Sequence, residues 1–212
     1  MMVSLPFKYE KKFALIFYFH HFYGSYIQKR TRKMTDDKDI LNAISKKPEQ
    51  GFRQLMTRYR EPIYWHIRRL VVSHDDAQDV AQETFVRIFR NLGQYNEDKS
   101  FKAWMFRIAT NEALRHLGRQ KNATMLSLDD ITADMLSTKA DEYFDSSDTL
   151  AVRLQQAILH LPAKQQLAFN LRYYDELSYD EIAEVAGSSA ASAKMNYHLA
   201  KEKIIEYMNK ND

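Results

Sequence analysis

Apolar residues recur every three or four positions along most of this chain, which is the spacing of one face of an α-helix. The longest stripe lies within residues 52–71, and shorter stripes lie within 81–92, 150–161 and 167–171. In the helix predicted over 74–92, the face opposite the apolar one consists of Asp79, Gln82, Glu83, Val86 and Arg90. The chain has only five Gly and four Pro, which disfavours a loop-rich β architecture. The pattern therefore predicts an all-α fold.

Capping and turn residues divide these stripes into separate helices. Pro62 has no backbone N–H and predicts a kink or a break inside the first stripe. Ser73 followed by Asp76 predicts a helix start, because a hydroxyl at this position accepts a backbone N–H bond. The turn-rich segment 91–100 predicts a loop. Pro162 predicts the start of another helix, since proline is tolerated in the first turn.

The segment 177–204 has the pattern of a helix-turn-helix. Ser178 and Glu181 form a capping box at the start of its first helix, and Gly187 supplies the turn. Either of the two serines after Gly187 would cap the second helix. A helix in this position enters the major groove of duplex DNA. We expect its outward-facing residues to contact DNA: Ser189, Ser192, Lys194, Met195, Asn196, His198 and Leu199.

These patterns divide the chain into four parts. Residues 35–121 and 149–210 are predicted to form two small helical domains, and the second contains the helix-turn-helix. Residues 122–148 are rich in Ser, Thr, Asp and Ala and are predicted to form a flexible linker. Residues 1–34 are an N-terminal extension of different composition. The predicted architecture is two helical domains joined by a flexible linker.

The extension is apolar and aromatic between two basic flanks. Its uninterrupted apolar run, Phe13–Phe19, is far shorter than a membrane-spanning helix, and it has no signal-peptide cleavage site. Three interpretations are open: an interfacial anchor, a failed signal peptide, or sequence that is not native protein. We favour the last, because Met34 begins a segment that resembles an ordinary soluble N-terminus. We therefore expect residues 1–33 to be dispensable.

Charge is distributed unevenly, so the net charge of +3 is a poor guide to the partners of this protein. Residues 1–33 carry seven Lys or Arg and one Glu, a balance of +6, which leaves −3 for residues 34–212. Segment 99–121 has six basic residues and one acid, whereas 129–148 has seven acids and one Lys. The absence of Cys excludes a disulfide framework and a Cys-based zinc site, and it fits the cytoplasm that we expect.

The basic segment carries residue types that suit single-stranded nucleic acid. Trp104, Arg107, Asn111 and Arg115 are spaced to share one helical stripe. Aromatic rings stack on unpaired bases, guanidinium groups neutralise phosphates, and amides read base edges. The alternative is that the indole packs in the core and the arginines are merely solvated. That alternative suits Trp104 alone better than it suits the set.

Two stretches of the chain resemble the extracytoplasmic-function (group IV) sigma factors of the sigma-70 family. They are DDAQDVAQETFVRIFRNL (75–92) with FKAWMFRIATNEALRHLGRQK (101–121), and LSYDEIAEVAGSSAASAKMNYHLAKEKI (177–204). The segment LPAKQQLAFNLRYYDELSYDEIAE (161–184) is also similar to the sigma pattern that precedes the helix-turn-helix. The resemblance implies a protein that binds core RNA polymerase and directs promoter-specific transcription initiation.

The resemblance also implies site residues. The segment 75–92 resembles the one that docks on the coiled coil of the polymerase β′ subunit. Its matching positions are Asp76, Asp79, Gln82, Glu83 and Arg87. The segment 93–121 resembles the one that melts and reads the minus-ten element, with a flipped base held by the loop 93–100. The expected contacts are Tyr95, Lys99, Lys102, Trp104, Arg107, Asn111 and Arg115.

The helix-turn-helix of such a protein reads the minus-thirty-five element. Sigma relatives usually carry Arg where this chain has Asn196 and Leu199, so we expect weak binding of isolated DNA. The implied partners are core RNA polymerase, through the β′ coiled coil and the β subunit, promoter DNA and an anti-sigma factor. No cofactor, metal or small-molecule substrate is implied.

Two other classes of function remain as alternatives. The chain has no HExxH, Walker loop, GxSxG or dinucleotide fingerprint, and its seven His show no metal-ligand spacing. We therefore do not expect an enzyme. A stand-alone helix-turn-helix regulator would explain the second domain, but it would leave the helices of 75–121 without a role.

Overall fold

The computed structural model describes residues 36–120 and 149–210. The predicted extension 1–34 and linker 122–148 lie outside the described residues. Within these ranges the chain forms eight α-helices and one 3-10 turn, with no strand, which confirms the predicted all-α class. Among the helices described, none has the length and apolar character needed to cross a membrane.

The helices are named here in chain order. The first four, with the 3-10 turn that follows α3, are α1 (Asp37–Lys46), α2 (Pro48–Val71), α3 (His74–Asn91), the turn Leu92–Gln94, and α4 (Phe101–Gln120). The last four are α5 (Thr149–Leu159), α6 (Ala163–Tyr173), α7 (Tyr179–Ala186) and α8 (Ala190–Lys210).

Residues 36–58 belong to one compact unit, which contains α1 and the beginning of α2. Asp37 and Arg58 form an ion pair of 3.2 Å within it. A Cβ atom at Gly51 would lie 2.2 Å from the backbone nitrogen of Ile44. Only glycine therefore allows this close approach of two backbone segments.

α2 runs without interruption through Pro62, so the predicted break at that residue is wrong. The helix ends at Val71 because Val72 has a φ of 64°, in the left-handed region that a helix cannot continue through. The apolar stripe of this helix is buried as predicted, and its buried members are Leu55, Tyr59, Ile63, Ile67, Leu70 and Val71.

Of the described residues, 59–120 and 149–210 belong to a second compact unit. In this unit α3 packs against α4, and α8 packs against α5, α6 and α7. Phe169 of α6 stacks on Tyr173 and Tyr197 with ring centroids 5.1 and 6.0 Å apart, respectively. The core around Phe169 also contains Ala157, Ile158, Leu161, Ala200 and Ile204. α6 begins at Ala163, and Pro162 is its N-cap residue. The sequence predicted Pro162 within the first turn, so the proline lies just before the helix and not inside it.

In this second unit α4 also packs against α7. The pair α3 and α4 is therefore in contact with the group α5 to α8. The hydroxyl of Ser100, just before α4, donates a hydrogen bond of 2.6 Å to Glu181 of α7. The apolar stripes did not predict this contact, because a periodic stripe does not show which other helix covers it.

Candidate nucleic-acid and partner interfaces

The helix-turn-helix forms as the sequence predicts. Ser178 caps α7, and the reciprocal bonds of a capping box join it to Glu181. The turn is made by Gly187, whose φ of 62° lies in the left-handed region. A non-glycine residue would be strained there, although a Cβ atom would meet no other atom within 4 Å. Local sequence chemistry therefore sets both ends of α7.

α8 starts at Ala190, and Ser189 caps it by accepting the backbone N–H of Ser192 at 3.1 Å. This settles which of the two serines caps the helix. The predicted DNA-contacting residues divide into two classes by exposure. Five of them are exposed: Ser189, Ser192, Lys194, Met195 and His198. Asn196 and Leu199 are half-buried.

The amide of Asn196 donates to the hydroxyl of Ser192 at 3.4 Å, one helical turn earlier. Met195, beside it, is 60% exposed. The predicted reading face of α8 therefore consists of small polar groups and one flexible apolar side chain. It contains one ammonium group, Lys194, within the described residues of this face.

Acid is expected to weaken the N-terminal cap of α7. Burial alone would raise the pKa of Glu181, but hydrogen bonds from Ser100 and from Ser178 hold it below its ordinary value of 4.5. A lowered pKa means that the stabilisation is complete above 4.5 and is lost as the pH falls through the lower folded value. The melting temperature of Glu181→Gln should lie below that of wild type at about pH 7, and the difference should shrink near pH 3.

Thermal unfolding by circular dichroism at the two pH values measures this difference. Glu184→Gln, in the same helix, is the matched control and should show little change between the two conditions. An unchanged difference between wild type and Glu181→Gln in acid would contradict the assignment.

The candidate partner face of α3 is largely open to solvent. Asp79, Gln82 and Glu83 are exposed, and they follow one another along one side of the helix. Glu83 pairs with Arg119 of α4 at 3.5 Å, but both side chains are about half exposed, so the pair adds little stability. These side chains are therefore available to an external partner.

Asp76 and Arg87, the other two predicted residues, are held by α4. The carboxylate of Asp76 contacts His116 and Gln120, each at 3.2 Å. The guanidinium of Arg87 pairs with Glu112 at 2.6 Å. The structure thus brings three of the five residues together on an open face and places the other two against the neighbouring helix.

Two exposed apolar side chains lie on α3 beside this acidic face. Val86 is 45% exposed and Phe89 is 52% exposed. The sequence pattern placed Val86 on the face, but it did not single out Phe89. A Phe outside the apolar stripe of its own helix was the available signal. Exposed apolar groups beside carboxylates are typical of a protein-binding surface.

The loop before α4 and the first turn of α4 form an aromatic cluster. Tyr95 lies 5.0 Å from Phe101 and 5.3 Å from Trp104, measured between ring centroids. Phe101 and Trp104 stack at 5.7 Å with an interplanar angle of 16°. Phe101 is buried, whereas Tyr95 and Trp104 are half-buried. The indole of Trp104 therefore packs on the core with one side and reaches the surface with the other.

The polar members of the α4 stripe do not all remain free. Arg107 and Asn111 are exposed, as is Lys99 in the preceding loop. The guanidinium of Arg115 binds both carboxylate oxygens of Glu112, at 2.7 and 2.8 Å. The ammonium of Lys102 donates to the backbone carbonyl of Asp175, which lies between α6 and α7.

Glu112 is the functional neighbour that the sequence pattern did not identify. Its side chain is 1% exposed, and it binds Arg87 of α3 and Arg115 of α4. One buried carboxylate therefore orients an arginine on each of the two candidate surfaces. The only sequence signal was its isolation, since it is the one acid in the basic segment 99–121.

Comparison with protein families assigns both halves of the described chain. Residues 55–123 match the family described as "Sigma-70 region 2", and residues 151–204 match "Sigma-70, region 4". The first match contains α3 and α4, and the second contains the helix-turn-helix.

Curated relatives span nearly the same length. The chain is 27% identical over 173 residues to the ECF RNA polymerase sigma factor SigW of Bacillus subtilis (strain 168), covering 78% of this chain and 92% of the relative. It is 29% identical over 176 residues to the RNA polymerase sigma-H factor of Pseudomonas aeruginosa, covering 79% and 91%, respectively. It is 28% identical over 176 residues to the ECF RNA polymerase sigma-E factor of Escherichia coli (strain K12).

Two solved structures share the fold. CnrH, solved in complex with the cytosolic domain of CnrY, has a TM-score of 0.62 and 19% identity, covering 83% of this chain and 99% of that chain. The sigma factor RpoE of Bartonella quintana, solved in complex with the anti-sigma factor NepR, has a TM-score of 0.57 and 20% identity, covering 74% and 96%. At this identity the likeness concerns the fold alone.

Proposed function

Since this chain belongs to the sigma-70 family of RNA polymerase sigma factors, we propose that it binds core polymerase through α3 and reads promoter DNA through α4 and α8. Its relatives are of the extracytoplasmic-function group, and it is a sigma factor that directs transcription initiation. The finer proposal concerns which residues carry each contact.

The open face of α3 is the observation that carries the polymerase contact. Asp79, Gln82 and Glu83 are exposed there, beside the exposed apolar side chains of Val86 and Phe89. Carboxylates facing a basic coiled coil would steer the encounter and set the register, and the apolar groups would supply buried area. Asp76 and Arg87 are proposed to act from the edge of this face, where α4 holds them.

The proposed minus-ten surface combines an aromatic platform with exposed polar groups. The half-buried ring of Trp104, which contacts Tyr95, is proposed to stack on an unpaired base. Arg107 and Asn111 are exposed farther along α4 and are proposed to contact phosphate and a flipped base, respectively. Arg115 is proposed as a weaker contact, because Glu112 already neutralises it.

The proposed minus-thirty-five surface is the exposed side of α8. Ser189, Ser192 and Lys194 would approach the major groove, and Asn196 could bind adenine with both amide atoms once its bond to Ser192 is exchanged. The small number of basic groups supports weak binding of isolated DNA, because phosphate contacts dominate affinity.

The remaining assignments follow from this function. We infer a cytoplasmic protein that is not an enzyme and that is controlled by an anti-sigma factor. CnrH and RpoE, whose structures are similar to this chain, were both solved as complexes, RpoE with a named anti-sigma factor. A stand-alone helix-turn-helix regulator is not favoured, because the first half of the chain has its own sigma-70 match.

Co-purification with core RNA polymerase, followed by run-off transcription, tests this function. The chain should be retained by core polymerase and should support transcription from its own promoter. A chain that binds promoter DNA without polymerase and represses transcription would instead indicate the stand-alone regulator.

The two DNA surfaces are expected to act at different steps. Asn111→Ala should impair open-complex formation on duplex promoter and be partly rescued by a pre-melted bubble, because base capture needs unpaired bases. Asn196→Ala should weaken binding to both templates by about 1–3 kcal/mol if the contact with the base is bidentate. Permanganate footprinting with holoenzyme measures both effects. Equal rescue of the two variants by the bubble would contradict this division.

A further inference from the structure

Asp175, in the turn between α6 and α7, binds three basic side chains of α2 and α4. Its carboxylate contacts the ring of His66 and the guanidinium of Arg69, each at 3.2 Å. Its backbone carbonyl accepts the ammonium of Lys102. The side chains of His66 and Asp175 are 0% and 3% exposed, so these contacts are shielded from water.

The ring of His66 is held on both sides. One ring nitrogen lies 3.2 Å from the carboxylate of Asp175, and the other lies 2.9 Å from the hydroxyl of Thr110, which also donates to the carbonyl of Phe106 at 2.8 Å. These contacts fix the orientation of the ring, with one nitrogen facing Asp175.

The basic side chains of His66 and Arg69 thus meet the carboxylate of Asp175, and that of Lys102 meets its backbone carbonyl. Burial alone would raise the pKa of Asp175, but the charge of Arg69 and the hydrogen bonds from His66 and Arg69 hold it below its ordinary value. Asp175 is therefore an anion here, and the cluster keeps an excess of positive charge. The guanidinium of Arg69 also lies 4.3 Å from the ring centroid of Tyr174, which helps to fix its plane.

We propose that His66, Arg69 and Lys102 form a binding site for a backbone phosphate of promoter DNA, and that Asp175 occupies this site when α7 packs against α4. A planar guanidinium with two further donors suits a phosphate as well as it suits a carboxylate. The inference rests on the proposed function, because Lys102 lies in the first turn of the helix assigned to the minus-ten element. It adds His66 and Arg69 to that surface.

Closure and DNA binding compete in this scheme. While Asp175 holds Lys102, and Glu181 accepts the hydroxyl of Ser100, the start of α4 is covered by α7. Departure of α7 would expose the three basic side chains together. The free protein would then bind DNA with an affinity reduced by the fraction of molecules that are closed.

Asp175→Asn tests the site in the full-length chain. The chain has no Cys, so Arg90→Cys and Asn209→Cys, both at exposed positions, can carry a pair of spin labels. Double electron–electron resonance should show a longer distance between the labels in Asp175→Asn. Fluorescence anisotropy with labelled oligothymidylate should show tighter binding, by about tenfold if nine-tenths of the wild-type molecules are closed.

Two further variants show whether the cluster is a phosphate-binding site or only a packing contact. Asp180→Asn removes the same charge from an exposed position of α7 and should leave both measurements at the wild-type value. Arg69→Gln should also lengthen the label distance, but it removes part of the site. It should therefore not tighten DNA binding, and it should lower the slope of log affinity against log salt by about 0.7.

Each other outcome overturns the proposal. An unchanged label distance in both Asp175→Asn and Arg69→Gln would mean that Asp175 does not hold the two groups together. A longer distance with DNA affinity equal to that of Asp180→Asn would leave Asp175 as a packing contact only. Equal tightening in Asp175→Asn and Arg69→Gln would exclude Arg69 from the DNA site. These measurements use no polymerase, so failure of run-off transcription would remove the proposed function separately.

Discussion

Replacing Asp79 and Glu83 together by Lys is expected to abolish binding to core RNA polymerase while leaving the helical content unchanged. Both side chains are exposed on α3, and they are four residues apart on one side of that helix. Two charges of the same sign that face each other across an interface weaken binding by several kcal/mol. Since about 1.4 kcal/mol corresponds to a tenfold change in affinity, the loss should exceed about 100-fold.

The chain offers a matched control for this variant. Glu202 and Glu206 of α8 are also exposed and four residues apart, and they lie outside the proposed interfaces. Replacing both by Lys makes the same change in charge and should leave polymerase affinity at the wild-type value. Affinity is measured by titrating labelled chain with core polymerase, and helicity by circular dichroism. Equal affinities of the two charge-reversed variants would remove α3 from the polymerase interface.

Glu112→Gln is expected to lower the free energy of unfolding by about 2 kcal/mol, because it weakens charge-assisted hydrogen bonds to two arginines. The side chain of Glu112 is 1% exposed, and its oxygens lie 2.6 to 2.8 Å from guanidinium nitrogens of Arg87 and Arg115. Both arginines are partly exposed, so water can replace some of the hydrogen bonds that their guanidinium groups lose. This solvation keeps the cost below that of stranding a fully buried charge.

Urea unfolding followed by tryptophan fluorescence measures this effect. The two Trp residues of the chain, Trp65 and Trp104, lie in α2 and α4, respectively, so the signal reports on these two helices. Glu83→Gln is the control, because its pair with Arg119 is long and exposed. It should cost less than about 0.5 kcal/mol. Equal destabilisation by Glu83→Gln and Glu112→Gln would show that burial of Glu112 has no energetic consequence.

Glu112 also affects how the two candidate surfaces are interpreted. Arg87 was predicted to bind polymerase and Arg115 to bind DNA, and a single carboxylate holds both. Substituting either arginine would therefore disturb folding as well as binding. Affinities of such variants need to be read together with their free energies of unfolding.

Much of the fold was predictable from the sequence because its causes are local. A capping box at Ser178 needs only two side chains three residues apart. A glycine such as Gly187 indicates a left-handed backbone conformation, which other residues avoid. Helical periodicity likewise identified the buried stripe of α2. The break expected at Pro62 from its missing N–H does not occur, because tertiary packing can hold a helix together at a proline.

The exposure of individual site residues was less predictable. Spacing placed Trp104, Arg107, Asn111 and Arg115 on one stripe, but it could not show that Arg115 is neutralised by Glu112. It also could not show that Trp104 packs against Tyr95 with only part of its ring open to solvent. Such outcomes depend on which side chains of other helices lie within reach.

By itself the sequence determined the helical class, the helix-turn-helix with its caps, and the resemblance to sigma factors, because these depend on residues close together in the chain. Only the tertiary structure decided which charged groups are paired and which remain free. His66 and Asp175 are 109 positions apart, as the bond between them records. No periodicity or motif connects such positions, since their contact exists only after the turn between α6 and α7 has packed against α2.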